Sequence, residues 1–230
     1  MHQQLLLDLC PEQRPCLDNF VIVKNAELVA RLGALSNPGV FDQIYLWGPP
    51  GCGRSHLLHG TLAEAQARQR PVCFIEGDRL GDHLAPAPNS LVIIDDVDGL
   101  SMAAQITLFR TFNAARLVGL ALLLSGPEPP LRLKPSLRED LRTRIGSALI
   151  YEVQPLSDAE KAAALLQHGL SRGMKLDESL IDYLLRHGRR DLPTLLAVLN
   201  ALDRISLEQH RPVTLPLLRE ILQTSLQFGE

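Results

Sequence analysis

The amino-acid sequence predicts an α/β unit built on a five-stranded parallel sheet, followed by a small all-helical unit. Short apolar runs at 44–47, 72–75, 91–94, 120–124 and 149–153 alternate with helical stretches, notably 55–68 and 102–116. Strands that alternate with helices pair in parallel through crossover connections. Two of the runs are continuous apolar blocks, as expected of strands covered on both faces. After Pro155 the pattern changes: apolar residues recur at helical spacing through 162–170, 180–185, 195–205 and 217–226, with no strand signal between them.

The elements follow in order. The run at 44–47 ends on a glycine-rich stretch that opens the helical pattern of 55–68. Pro86, Ala87 and Pro88 read as a loop feeding the third strand. Ser157 stands three residues before Glu160, a capping-box signature for the first helix of the second unit. Asp191-Leu192-Pro193 reads as a later helix start with Pro in its first turn. The expected organisation is a tail at 1–12, an α/β domain at 13–155 and a helical domain at 156–230, joined without a long linker.

Composition narrows the function classes. The 230 residues are 46% hydrophobic, enough to bury a sizeable core. A net charge of -3 argues against coating nucleic acid through bulk electrostatics, and 4% aromatic content leaves few platforms for stacking bases. Cys10, Cys16, Cys52 and Cys73 form no CxxC pair and have no zinc-spaced histidines, so they read as reduced thiols of a cytosolic chain. The leucine-rich start lacks a basic region and carries Asp8, unlike a signal peptide. No apolar stretch approaches the roughly 20 residues that cross a membrane. The expected localisation is cytoplasmic.

The glycine-rich stretch is Gly48-Pro49-Pro50-Gly51-Cys52-Gly53-Arg54-Ser55, followed by His56. It matches GxxxxGK[ST] except that Arg54 stands where Lys is expected. Such a turn aims backbone N–H groups and the positive end of a helix dipole at the phosphates of ADP or ATP, with the Ser55 hydroxyl on Mg²⁺. The plainer reading is an ordinary glycine-rich turn. Arg keeps the charge of Lys but is wider and planar, which predicts retained phosphate binding and poor transfer of a γ-phosphate.

Leu91-Val92-Ile93-Ile94-Asp95-Asp96 places two carboxylates at the end of an apolar strand, about 40 residues beyond that loop. Ligands of open α/β sheets bind at this strand edge. Asp95 is the expected Mg²⁺ partner, and Asp96 the candidate for polarising an attacking water. The alternative is a pair of helix-capping aspartates.

With these motifs in place, the chain resembles the AAA+ superfamily and, within it, the family of the replication initiator DnaA and its shorter regulatory relatives. The resemblance covers nearly the whole chain. It includes Asp18-Asn19-Phe20-Val21, the 53–59 exit of the loop with its arginine, Phe112-Asn113-Ala114, and Leu156-Ser157-Asp158 at the start of a lid domain. It implies that Asn19, Phe20 and Val21 lie near the adenine and that Ser125 is a first sensor facing the γ-phosphate. Where the initiators carry an acidic residue two positions on, this chain has Pro127. It further implies that Arg144 is an arginine finger acting on a neighbour's nucleotide, ahead of Arg142, and that Arg190 is a second sensor, a role Arg189 could exchange with it. The initiators continue into a helix-turn-helix domain, whereas nothing before Glu230 reads as a recognition helix with a basic flank.

Gln4-Leu5-Leu6-Leu7-Asp8-Leu9 resembles the peptide by which such proteins bind the replicative sliding clamp. Gln4 would make directional hydrogen bonds while Leu5, Leu7 and Leu9 fill an apolar pocket; the alternative is a tail packed on its own domain. The resemblance implies a regulator with weak or no ATPase activity of its own. With the DNA-loaded clamp it would stimulate hydrolysis of DnaA-bound ATP, meeting DNA only through the clamp. An autonomous AAA+ ATPase such as a helicase loader is the alternative, and a P-loop small-molecule kinase a third class. The leucine-rich lid leaves open whether the chain forms a homodimer.

Overall fold

The computed structural model describes residues 15–133, 137–188 and 191–227. The expected tail contacts Gln4, Leu5, Leu7 and Leu9, and the expected second-sensor arginines Arg189 and Arg190, lie outside the described residues.

Five parallel strands form one sheet: β1 (Gln43–Trp47), β2 (Val72–Glu76), β3 (Leu91–Asp95), β4 (Ala121–Gly126) and β5 (Leu149–Glu152). Their order is β2-β3-β4-β1-β5, each pair parallel. This is the five-stranded sheet expected from the apolar runs. β4 lies at its centre and is buried at all six positions, while β5 is an edge strand with Leu149 and Ile150 about 40% exposed.

Four helices accompany the sheet: α1 (Ala26–Leu35), α2 (Arg54–Ala67), α3 (Met102–Val118) and α4 (Glu139–Gly146). Side chains alternate across a strand, so the sheet feeds two cores. Tyr45, Val92, Ile94, Leu122 and Leu124 pack with Leu108 and Phe112 of α3 and with Leu141 and Ile145 of α4. Ile44, Leu46, Ile93 and Leu123 pack with Leu28, Leu32 and Leu35 of α1 and with Leu57 and Leu58 of α2. α3 starts at Ser101, whose side chain accepts from Ala104 N–H, and stops at Gly119 with φ 66°.

The chain divides at Pro155 and Leu156 into two compact units. The second holds α5 (Asp158–Ser171), α6 (Glu178–His187), α7 (Leu192–Glu208) and α8 (Leu215–Gln227) around Leu165, Leu180, Leu184, Leu195, Leu199 and Leu218. Its first helix opens with a reciprocal capping box: Glu160 N–H donates to Ser157 Oγ at 3.3 Å, and Ser157 N–H to Glu160 Oε2 at 2.7 Å. Asp191 Oδ1 caps α7 by accepting from Thr194 N–H at 3.0 Å. His168 lies 2.8 Å from Asn200 Oδ1, and Arg172 Nε donates to Asp203 at 2.9 Å, which ties α5 to α7. Among the described residues, no helix is long and apolar enough to cross a membrane.

One buried cation anchors the approach to β1. Arg70 is 2% exposed, and its guanidinium donates to the carbonyls of Leu35, Asn37 and Val40. It thereby satisfies carbonyl groups left open at the end of α1 and in the turn leading to the sheet. Arg70→Ala should destabilise the fold by about 2–4 kcal/mol, because several part-buried carbonyls lose their donor together. Denaturant unfolding should show a lower midpoint at unchanged slope; an unchanged midpoint would remove this anchoring role.

Candidate functional site

The functional candidates gather at the C-terminal edge of the sheet. β4 lies between β1 and β3, with Leu46 opposite Ser125, Trp47 opposite Gly126, and Ile94 opposite Leu124. The glycine-rich loop leaves β1 after Trp47, so it and Asp95 stand about two strand spacings apart, roughly 10 Å. Gly51 and Gly53 adopt φ of 78° and 101°, and Cys52 N–H closes a tight turn onto Pro49 O at 3.3 Å. A side chain at Gly53 would also place its Cβ 2.8 Å from the Phe20 ring. Both the backbone angle and the close packing demand glycine there.

α2 begins at Arg54 with no side-chain cap and no acidic residue in its first turn. Its leading N–H groups and the positive end of its dipole therefore remain available to an anion. Ser55 is exposed, and His56 is half-buried. The Nη1 atom of Arg54 is buried and has no hydrogen-bond partner. A buried cationic donor without an acceptor is costly unless an anion meets it, so the loop has the donor set that phosphate requires.

Tyr45 records the charge around this edge. Its phenol is pushed above its ordinary range, chiefly by burial; Arg54 opposes the shift, while Asp96, Asp98 and Glu128 add to it. Its hydroxyl donates to Glu128 O at 2.7 Å and so fixes the turn after β4. Tyr45 gives little signal in sequence, where it reads as one more residue of a strand.

Asp95 and Asp96 diverge. Ser125, fully buried on β4, donates its hydroxyl proton to Asp95 Oδ1 in a short hydrogen bond and accepts Asp96 N–H at 2.9 Å. Asp96 takes a left-handed conformation, φ 60° and ψ 78°, and its exposed carboxylate accepts Asp98 N–H at 3.3 Å. The capping alternative thus describes the contact Asp96 makes here. No cluster of three or more His, Cys, Asp or Glu residues suited to a metal occurs among the described residues. Mg²⁺ does not require one, since it is commonly held by one or two protein oxygens together with substrate phosphates and water. Ser55 and Asp95 supply oxygens of that kind.

Arg144 lies on α4, exposed, and its guanidinium has no ion-pair or hydrogen-bond partner among the described residues. Leu141 and Ile145 of that helix are buried in the core. Arg142 is half-buried, with its Nε buried and unpartnered. A cavity of about 700 Å³ lies at the other end of the sheet, lined by Phe41, Asn89, Leu117 and Val118, and contains none of the candidate residues.

The segment before α1 covers the start of α2. A 3-10 turn, Leu17–Asn19, is closed by Cys16 N–H donating to Asn19 Oδ1 at 3.0 Å. Asn19 is exposed, while Phe20 and Val21 are half-buried. The Phe20 and His56 rings lie 5.6 Å apart, and His56 Nε2 lies 3.1 Å from Cys16 O. Gly60 admits this segment, because a Cβ there would sit 2.9 Å from Leu17 N. Burial holds the His56 imidazole below its ordinary range, outweighing the Cys16 carbonyl, which favours the charged form. The folded chain therefore binds this proton less readily than the unfolded chain. Stability contributed by neutral His56 should decline as pH falls from about 6.5 through the lower folded value. Stability measured against pH in wild type and His56→Gln should show a steeper acid-side loss in wild type; identical profiles would contradict it.

Residues 158–222 match the family model for the lid domain of Hda. Among solved structures, the chain resembles domain III of the Thermotoga maritima replication initiation protein DnaA, with a TM-score of 0.70 and 16% identity, covering 91% of this chain and 95% of that one. AMPPCP-bound DnaA from Aquifex aeolicus matches with a TM-score of 0.66 and 19% identity over 82% of this chain, which spans 65% of that initiator's length. A RuvB variant from Thermotoga maritima matches with a TM-score of 0.68 and 16% identity, over 91% of this chain and 72% of that one. At these identities the structural likeness establishes the fold, and the lid match adds the family signal. The chain thus shares its fold with DnaA domain III and with RuvB, and its residues 158–222 match the lid domain of Hda.

Proposed function

We propose that this chain is a nucleotide-holding regulator of replication initiation that acts on DnaA. In this reading the loop from Gly48 to Ser55 wraps the phosphates of ADP or ATP. Ser55 and Asp95 hold Mg²⁺, while Asn19, Phe20, Val21 and His56 border the base. The observation that carries the reading is the buried, unpartnered Nη1 of Arg54 beside an uncapped helix start. Arg54 binds as a planar fork, which suits holding a nucleotide more than driving its hydrolysis. Asp96 adds to this: its carboxylate caps a turn, and a shorter side chain stands where hydrolytic relatives of the fold would place a water-polarising Glu.

Chemistry then belongs to the partner's site. Arg144 supports that role, being an exposed, uncompensated cation on a helix fixed to the core. Presented to ATP bound by DnaA, its guanidinium would stabilise charge developing in the transition state. In the proposal, Arg190 reads the nucleotide from the lid, and Gln4, Leu5, Leu7 and Leu9 dock on the DNA-loaded sliding clamp. DNA is met only through that clamp.

Two measurements test the proposal. Calorimetry should show uptake of adenine nucleotide by wild type and a loss of about tenfold or more in affinity for Arg54→Ala, given the strength of charge-assisted hydrogen bonds. No uptake by wild type at millimolar nucleotide would end the nucleotide reading. Hydrolysis of DnaA-bound ATP should require this chain, clamp and DNA when each is omitted in turn. Arg144→Ala should retain nucleotide binding and lose most of the stimulation, which spans about 10³–10⁵-fold for arginine fingers elsewhere. Full stimulation by that variant would refute the finger, and steady hydrolysis by the chain alone would favour an autonomous ATPase.

A further inference from the structure

We propose that Ser125 is a positioning residue for the metal: it clasps Asp95 in the orientation that receives a divalent cation, and it does not read the terminal phosphate. This deepens the nucleotide reading above and rests on it.

A serine hydroxyl has one proton and two acceptor lone pairs. Here the proton goes to Asp95 Oδ1, and a lone pair takes Asp96 N–H at 2.9 Å. Phosphate oxygens are acceptors, so Ser125 would have to release Asp95 to donate to one. Nothing in the fold makes that release easy. Ser125 is 0% exposed on a strand buried at every position, so its hydroxyl has no water to turn to. An unmade bond to the part-buried Asp95 carboxylate would leave the fully buried hydroxyl without a partner for its proton.

The other side of the clasp is equally constrained. Asp96 is turned into the left-handed region, which brings its N–H onto Ser125. Its carbonyl passes so close to Gly77 that a Cβ there would lie 2.1 Å away. Its side chain completes the turn by capping Asp98. A left-handed aspartate persists only where its surroundings fix it, and here three contacts do so.

The consequence for Asp95 is directional. One oxygen is pinned by Ser125, and the other has no protein donor among the described residues. A carboxylate held in this way presents a fixed oxygen to a cation, as hydrogen-bonded metal ligands generally do. The site then distinguishes metal-bearing from metal-free nucleotide and treats ADP and ATP alike.

The test measures nucleotide affinity of the full chain by calorimetry, with Mg²⁺ and with chelator, for ADP and for a non-hydrolysable ATP analogue. Ser125→Ala should reduce the Mg²⁺-dependent gain in affinity by about 10–100-fold, the usual cost of losing a group that orients a metal ligand. The reduction should be the same for both nucleotides, and affinity in chelator should not change. In an Asp95→Asn background, Ser125→Ala should add nothing. Should Ser125→Ala fail to fold, Ser125→Cys keeps the volume with a weaker donor and carries the same expectation. Loss confined to the ATP analogue, loss in chelator, or an undiminished Mg²⁺ effect would each overturn the clasp while leaving nucleotide binding intact. Wild-type chain that takes up neither nucleotide in either buffer overturns the nucleotide reading, and the clasp with it.

Discussion

The start of α2 is an uncapped helix end, and much of the α/β unit is arranged around that constraint. The first N–H groups of a helix have no partner within it, and helices elsewhere in this chain satisfy some of them with Ser101, Ser157, Asp177 and Asp191. α2 instead opens through Gly53 in the left-handed region, with Arg54 as its first residue. Phe20 closes over the glycine, and Gly60 lets the chain from Cys16 to Phe20 lie along the helix. The result is a helix start with an arginine as its first residue, at the end of a sheet strand and packed against Phe20.

Parallel pairing supplies the matching carboxylate. The strands of a parallel sheet all end at one edge, so β1, β3 and β4 deliver the loop, Asp95 and Ser125 to the same rim. Two adjacent aspartates leave that rim in different roles, because Ser125 bonds the side chain of the first and the backbone of the second. Tyr45 responds electrostatically to both the arginine and the surrounding carboxylates. Positive and negative groups thus share one small volume, an arrangement suited to a phosphate-bound cation.

The outer face of the same unit serves a different purpose. α4 is anchored through Leu141 and Ile145 and leaves Arg144 exposed, with its charge uncompensated. A surface cation of this kind contributes little to stability. The helical unit carries its own core and the segment matched to Hda lids.

Continuous apolar runs alternating with helical stretches specified the sheet strands, because strands covered on both faces leave that trace in local composition. Spacing likewise disclosed the loop at 48–55, the capping box at Ser157 and Glu160, and the helix start at Asp191. Short-range patterns missed α1 and α4, and they leave open the edge position of β5, which depends on which strands lie beside it. They also left Asp96 with two readings. Its left-handed turn depends on Gly77 from another strand end, and the partnership of Asp95 with Ser125 joins residues 30 positions apart. The sequence by itself determined the layered fold and the glycine-rich loop, since both are written in neighbouring residues. Only the tertiary structure decided where each hydroxyl proton and lone pair goes, because those partners come from strands that meet through packing alone.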